Sequence, residues 1–210
     1  MPRELTAFAI NCSLKSSRDE ERSSTDLMLS KILDAMAQHG VRGETVRAAD
    51  FNILPGTLSD MGPGDDWPGL RRRILQADIL LLGTPIWLGQ ISSIAKRVLE
   101  RMDAFLGETD DAGRMPATGM VAAVAVVGNE DGAHHCHAAC FQALNDVGFT
   151  IPANGGAYWV GEAMQAKDFK DLEVVPGPVA ATIRTLAANA AFLAARLRSE
   201  NYPAANEEHR

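Results

Sequence analysis

The sequence predicts an α/β fold, a doubly wound five-stranded parallel sheet in the order 2-1-3-4-5 with helices on both faces. Three observations predict it. Apolar runs of strand length alternate with helical stretches, which is the pattern of right-handed strand-helix-strand units. Two of those runs, Ile79 to Leu82 and Met120 to Val127, are apolar without interruption, as strands covered on both faces are. The loops after the first, third and fourth strands are the least ordinary in the chain. In an open sheet of this order they converge on one carboxyl edge, where such sheets take ligands.

Each element has a local reason. Leu5 to Ile10 forms the first strand, and a hydroxyl-rich loop, Asn11 to Thr25, follows. A helix starts near Ser24 with Leu27, Met28, Ile32, Leu33 and Met36 as its buried stripe, and His39-Gly40 stops it. Strand two is Glu44 to Ala48. Phe51 to Pro68 is dense in glycine and proline towards its end and reads as a long irregular loop. Trp67-Pro68 opens a helix through Gln76. The strand at Ile79 to Leu82 runs towards Pro85, which is expected to stop the ladder. A helix spans about Ser92 to Phe105, and the strand Met120 to Val127 leads through the tight loop Gly128 to Gly132 into a helix from Ala133 to Asn145. Strand five is placed near Phe149 to Ile151. An irregular run reaches Pro178, and an alanine-rich helix from Val179 to Arg198 closes the fold. Residues 1–199 are read as one domain and 200–210 as a polar tail.

Composition narrows the function classes. The chain has 210 residues, 46% hydrophobic and 22% charged, and a net charge of −7. That is globular composition, and the acidic balance argues against a nucleic-acid partner. No window is expected to reach the roughly 20 apolar residues of a membrane helix, and the start, Met1-Pro2-Arg3-Glu4-Leu5, does not resemble a signal peptide. Three cysteines are no disulfide framework and suit a reducing compartment, so the expected location is cytoplasmic, without a membrane partner.

The three loops carry the chemistry. Ser13, Lys15, Ser24 and Thr25 stand just before a helix, supplying hydroxyls, free backbone N–H groups and a positive helix end, which together hold a phosphate. The triphosphatase and dinucleotide glycine patterns are lacking, so a monophosphate fits better. The plainer reading makes Ser24 or Thr25 a helix cap and the other serines solvated loop. In the second loop, Thr84-Pro85-Ile86-Trp87-Leu88-Gly89, three large apolar side chains at the sheet edge call for a flat aromatic cofactor, or else for core or subunit packing. The third loop, Gly128-Asn129-Glu130-Asp131-Gly132, offers amides to an electron-rich ligand edge, or is an ordinary turn.

With these loops in hand, the chain resembles the flavodoxin-like NAD(P)H-dependent FMN reductase and quinone reductase superfamily, including multimeric flavodoxins. The similarity runs from the first strand to about Asn145. Its specific elements are Asp65-Asp66-Trp67, Ala77-Asp78, the run Gly83 to Ser93, Lys96, and Glu100-Arg101-Met102-Asp103. Ser13, Lys15, Ser24 and Thr25 resemble the family's phosphate loop, although Asn11-Cys12 replaces the usual glycine and residues are inserted around Ser16 to Arg22. Tyr158-Trp159-Val160-Gly161-Glu162 is similar to a segment after the last strand of some members.

The resemblance implies bound FMN, NADH or NADPH as electron donor, a small-molecule acceptor such as a quinone or free flavin, and a homodimer or homotetramer. Trp87 and Leu88 would flank the flavin, with Gly128 to Gly132 and Thr84 at its pyrimidine edge. Some relatives carry an iron–sulfur cluster after strand two, but Phe51 to Asp66 holds no cysteine to ligate one. The cluster His134-His135-Cys136-His137 with Cys140 matches no common zinc spacing and reads as buried thiols beside histidines, His134 or His135 bordering the pocket. Cys12 reads as a small buried residue, or as a reactive thiol beside a helix start. Two other functions stay open: an electron carrier between proteins, and a binding module that has lost FMN.

Overall fold

A computed structural model describes residues 3–163 and 165–204. In chain order it contains β1 (Leu5–Asn11), α1 (Ser24–Ala37), β2 (Val41–Arg47), α2 (Trp67–Leu75), β3 (Ile79–Trp87), β4 (Gln90–Ile91), α3 (Ser93–Met102), β5 (Val121–Gly128), α4 (Ala133–Asp146), β6 (Gly156–Val160) and α5 (Gly177–Ser199). The sheet order is β2-β1-β3-β5-β6, all parallel, with the two-residue β4 antiparallel to the end of β3. With β4 set aside, this is the flavodoxin-like order 2-1-3-4-5.

Strand periodicity sorts the core into two layers. Phe8 and Ile10 of β1, Leu80 and Leu82 of β3, and Ala122, Val124 and Val126 of β5 pack beneath α2, α3 and α4. Their neighbours Ala7, Ala9, Ile79, Leu81, Ala123, Ala125 and Val127 pack beneath α1 and α5. Both faces of the central strands are therefore dry, which is why they read as continuous apolar runs.

Two expectations are corrected. Pro85 does not end its strand: β3 continues to Trp87, with Pro85 paired opposite Val127 of β5. The ladder with β1 stops at Asn11 opposite Gly83. Strand alternation turns the Pro85 nitrogen to that same side, beyond the end of β1, so no ladder bond is lost. Strand five is Gly156–Val160, not Phe149 to Ile151. The earlier segment makes a single bridge, Thr150 to Val121, before Pro152 turns the chain away. Pairing resumes at Gly156 opposite Val124. The alanine-rich helix also needs a comment, because α5 is long and apolar enough by length and composition to cross a bilayer. Its apolar stripe, including Ile183, Leu186, Ala187 and Ala190, is buried against the sheet and α1. Of the expected polar tail, residues 205–210 lie outside the described residues.

The long loop after β2 is irregular in backbone yet fixed in place. The Asp65 carboxylate accepts from the amides of Leu54, Met61 and Trp67 and pairs with Arg101 of α3 at 2.8 Å. Arg101 also donates to the carbonyls of Leu54 and Leu58 and lies over the Trp67 ring. Both charged side chains are fully buried. Burial pushes the Asp65 carboxyl up, but Arg101 and the three amides outweigh it and hold the pKa at about 2. Removing one partner strands a buried charge, which costs about 3–5 kcal/mol. Arg101→Met is therefore expected to lower unfolding free energy by about that amount and to expose residues 51–66 to proteolysis. A folded-state pKa below the unfolded value stabilises at neutral pH, and that stability disappears as pH falls from about 4 to about 2. Asp65→Asn should flatten this part of the wild-type stability–pH profile, measured by urea titration.

Candidate functional site

Three loops meet at the carboxyl edge of the sheet around an open cleft. Ser13, Leu14, Lys15, Ser23, Ser24 and Thr25 line one end, Pro85, Ile86 and Trp87 one wall, and Val127, Gly128, Asn129 and Glu130 another. Trp159, Asp168 and Phe169 close the remaining side.

The first loop is built around Asn11. Its buried side chain donates to Ser23 Oγ at 3.2 Å and to Asp26, and accepts from the Ser13 amide at 2.8 Å. Ser23 caps α1 by accepting from the Asp26 amide. The cap carbonyl takes the Leu27 amide, so the first-turn amides of Ser24 and Thr25 are the donors left for a ligand. Around them stand the buried hydroxyls of Ser13, Ser23 and Thr25 and, at the cleft, Lys15. Two tertiary contacts complete this end. Arg47 pairs with Asp26 and donates to the Ser16 carbonyl. Lys170 places its backbone amide on Ser24 Oγ at 3.2 Å.

The second loop is a tight hairpin. Ile86 pairs with Ile91 and Trp87 with Gln90, so Leu88 and Gly89 form the two-residue turn. Both have positive φ, 53° and 73°, the geometry that favours such hairpins and that a leucine adopts only at a cost. The Glu130 carboxylate offsets that cost by accepting from the amides of Leu88 (3.2 Å) and Gly89 (3.0 Å). The turn rests on the third loop so closely that a Cβ at Gly132 would lie 2.8 Å from Gly89 Cα. Trp87 at the end of this hairpin is 52% exposed, which leaves its ring free to meet a ligand.

Of the residues expected at the site, Ser13, Lys15, Ser24, Thr25, Pro85, Ile86, Trp87, Gly128, Asn129 and Glu130 are brought together in the cleft. The others do not line it. Thr84 is fully buried, its hydroxyl accepting from the Ser92 amide and donating to the Pro85 carbonyl. Leu88 and Gly89 are the hairpin turn, Asp131 accepts from the Gly132 amide, and Gly132 opens α4. His134 packs edge-on against Tyr158, and His135 meets Gln90 at 2.8 Å, both outside the cleft. Burial pushes the Cys136 and Cys140 thiols up to about 11 and 12 and Cys12 well above its usual value, so these thiols stay protonated. Burial also lowers His137 to about 4. Asp168 and Phe169 escaped sequence reasoning because nothing in the run after β6 announces them. Trp159 and Ser23 stood in segments already noted, without an assigned role.

The family comparison decides the identity. The model of the NADPH-dependent FMN reductase family matches residues 5–165. The chain belongs to that family. FMN is the flavin of that family. A Mycobacterium bovis protein named divalent metal cation transporter MntH is 39% identical over 171 residues, 80% of this chain. The 8-demethyl-8-aminoriboflavin-5′-phosphate synthase of Streptomyces davaonensis is 33% identical over 168 residues, 76% of this chain. This family member spans 25% of the first relative's length and 65% of the second's. Among solved structures, RosB with bound 8-demethyl-8-formylriboflavin-5′-phosphate superposes with a TM-score of 0.84 at 30% identity, covering 94% of this chain and 82% of that one.

The Glu130 contact is testable without any ligand. Losing two charge-assisted bonds, Glu130→Ala should lower stability by about 1–3 kcal/mol. Amide exchange at Leu88 and Gly89 should accelerate at least about tenfold. Unchanged exchange at both amides would show that the carboxylate does not hold the turn.

Proposed function

We propose that this chain binds FMN in the cleft and passes electrons from NADH or NADPH through it to a small acceptor such as a quinone or free flavin. The observation that carries this reading is the meeting, in one open cleft, of a hydroxyl-rich helix N-terminus at one end and two tryptophans, Trp87 and Trp159, beyond it. The donor set fits a phosphate monoester: two free amides, buried hydroxyls and a lysine. Ser13, Lys15, Ser24 and Thr25 hold the phosphate in this reading. Pro85, Ile86 and Trp87 form an apolar wall for a flat ring, and Gly128, Asn129 and Glu130 its polar border. Thr84, Leu88, Gly89, Asp131 and Gly132 act one step away, by fixing the hairpin and the α4 loop. Bound FMN supplies the hydride and electron chemistry, and the chain supplies orientation and access. The open wall beside Trp87 leaves room for a nicotinamide and then an acceptor to approach in turn. The same reading takes residues 1–199 as one domain of a cytoplasmic homo-oligomer.

One observation favours a second reading, in which the flavin phosphate is substrate and its ring is modified. The RosB structure, similar over nearly the whole chain, holds a flavin intermediate by its name. Separation of the two is direct. FMN-loaded protein is incubated with NADH or NADPH and a quinone, donor oxidation is followed optically, and the flavin is recovered for mass analysis. Donor oxidation with intact FMN supports the reductase, and a changed flavin mass supports the second reading.

Retention of about one FMN per chain after gel filtration, with a perturbed visible spectrum, is the expected first result. Ser13→Ala and Thr25→Ala should each weaken FMN binding by about tenfold, the worth of one charge-assisted bond, with little change in thermal midpoint. Unchanged affinity in both would remove the phosphate from the α1 end.

A further inference from the structure

The α1 end of the cleft already contains its own anion. Glu21, in the inserted stretch before the cap, accepts from the ammonium groups of Lys15 and Lys170, the latter at 3.0 Å. Lys15 lines the cleft, and the Lys170 backbone amide is bonded to Ser24 of the helix start. Lys170 is also 3.3 Å from Asp168, a second cleft-lining residue. A further cation at this end, Arg47, is paired with Asp26.

These side chains form two ion-paired sets, Lys15 and Lys170 with Glu21 and Asp168, and Arg47 with Asp26. Each set is neutral. An incoming phosphate therefore meets no net positive field from either. To use either lysine fully, the phosphate must displace a carboxylate. Asp26 is tied to Asn11 and Arg47, and Asp168 is bonded within its own turn. Glu21 is the movable member, because its side chain is 59% exposed and its only polar partners among the described residues are the two lysines.

We infer that Glu21 occupies the lysines that a flavin phosphate needs and so lowers flavin affinity below what the unpaired lysines would give. The inference rests on the FMN reading and deepens it, by naming a residue that tunes affinity for the phosphorylated form of the ligand. Hydrogen bonds from Lys15 and then Lys170 hold the Glu21 carboxyl down at about 2, and Glu21 in turn raises Lys170. Glu21 and Lys170 therefore both stay charged at neutral pH. The chemistry recognised is a phosphate monoester on a flat heteroaromatic ligand.

The test compares FMN with riboflavin, which lacks the phosphate. Dissociation constants are measured by fluorescence quenching for the wild type, Glu21→Gln and Lys170→Met, with dissociation rates from stopped flow. Glu21→Gln leaves its set with one net positive charge and is expected to bind FMN about fivefold or more tightly, the scale of a single charge near 4 Å in a solvated setting. The gain should lie mainly in a slower dissociation rate. Riboflavin affinity should not change. Lys170→Met should weaken FMN binding and leave riboflavin unaltered. FMN affinity in Glu21→Gln that is equal to or weaker than wild type overturns the inference while leaving the FMN reading intact. Equal tightening for FMN and riboflavin overturns it too, since the effect would bypass the phosphate. Absence of FMN binding in all three proteins overturns both readings together. Glu21 lies on an exposed loop, and matching thermal midpoints establish that the variants are folded.

Discussion

Gly83 fixes where everything else at the site can stand. A Cβ there would lie 2.8 Å from Thr25 Cγ2 and 2.9 Å from Leu29 Cδ1, so α1 rests on β3 at a distance that only a bare backbone permits. The same residue is the last rung between β1 and β3. One position thus brings the helix start down to the sheet edge and marks the point at which β1 leaves. Beyond it β3 and β5 run on together through Pro85 and Val127, and the side of β3 left open becomes the cleft. Asn11 ties the two events together, since it ends β1 and bonds the Ser23 cap of α1.

How much of this could be read in advance follows from the range of each interaction. The dry central strands were legible because alternate residues facing two covered layers leave no polar position. The hydroxyls before α1 were legible because capping is local to a few residues. The course of β3 past Pro85 was not, because the tolerance of proline depends on where a partner strand ends, seventy-odd positions away in sequence. Phe149 to Ile151 carries strand-forming side chains, and Phe149 is indeed buried. Its pairing is limited to one bridge because Pro152 follows, whereas Tyr158 and Trp159 reach β5 in register. Asp168, Phe169 and Lys170 gave no signal at all, since their place beside Ser24 is set by a tertiary contact across 146 positions.

The polar groups beside the cleft are bonded to one another. The amides of Leu88 and Gly89 are both satisfied by Glu130. Asn129 is engaged in the same way, its Nδ2 donating to the Gln165 carbonyl at 3.0 Å. These groups hold the walls in position, and a donor that is already paired gains little from a new acceptor. What they supply is rigidity: a strained leucine turn, a carboxylate clamp and a glycine contact keep Trp87 at the rim without requiring a ligand to order it.

Both polar ends of the cleft are therefore internally balanced, the α1 end by three ion-paired cations and the opposite end by Glu130. On the proposed FMN reading, binding energy then comes chiefly from the amides of Ser24 and Thr25 and from the apolar walls of Trp87, Ile86 and Trp159. Such a division favours a ligand by its flat ring and identifies it by its phosphate, without the excess electrostatic attraction that would make release slow. An electron carrier gains from a flavin that never leaves. A protein that alters the flavin itself needs release in every turnover. On the proposed FMN reading the neutral, self-paired α1 end fits that second requirement, and it comes from residues 16–22 together with the distant turn that carries Lys170.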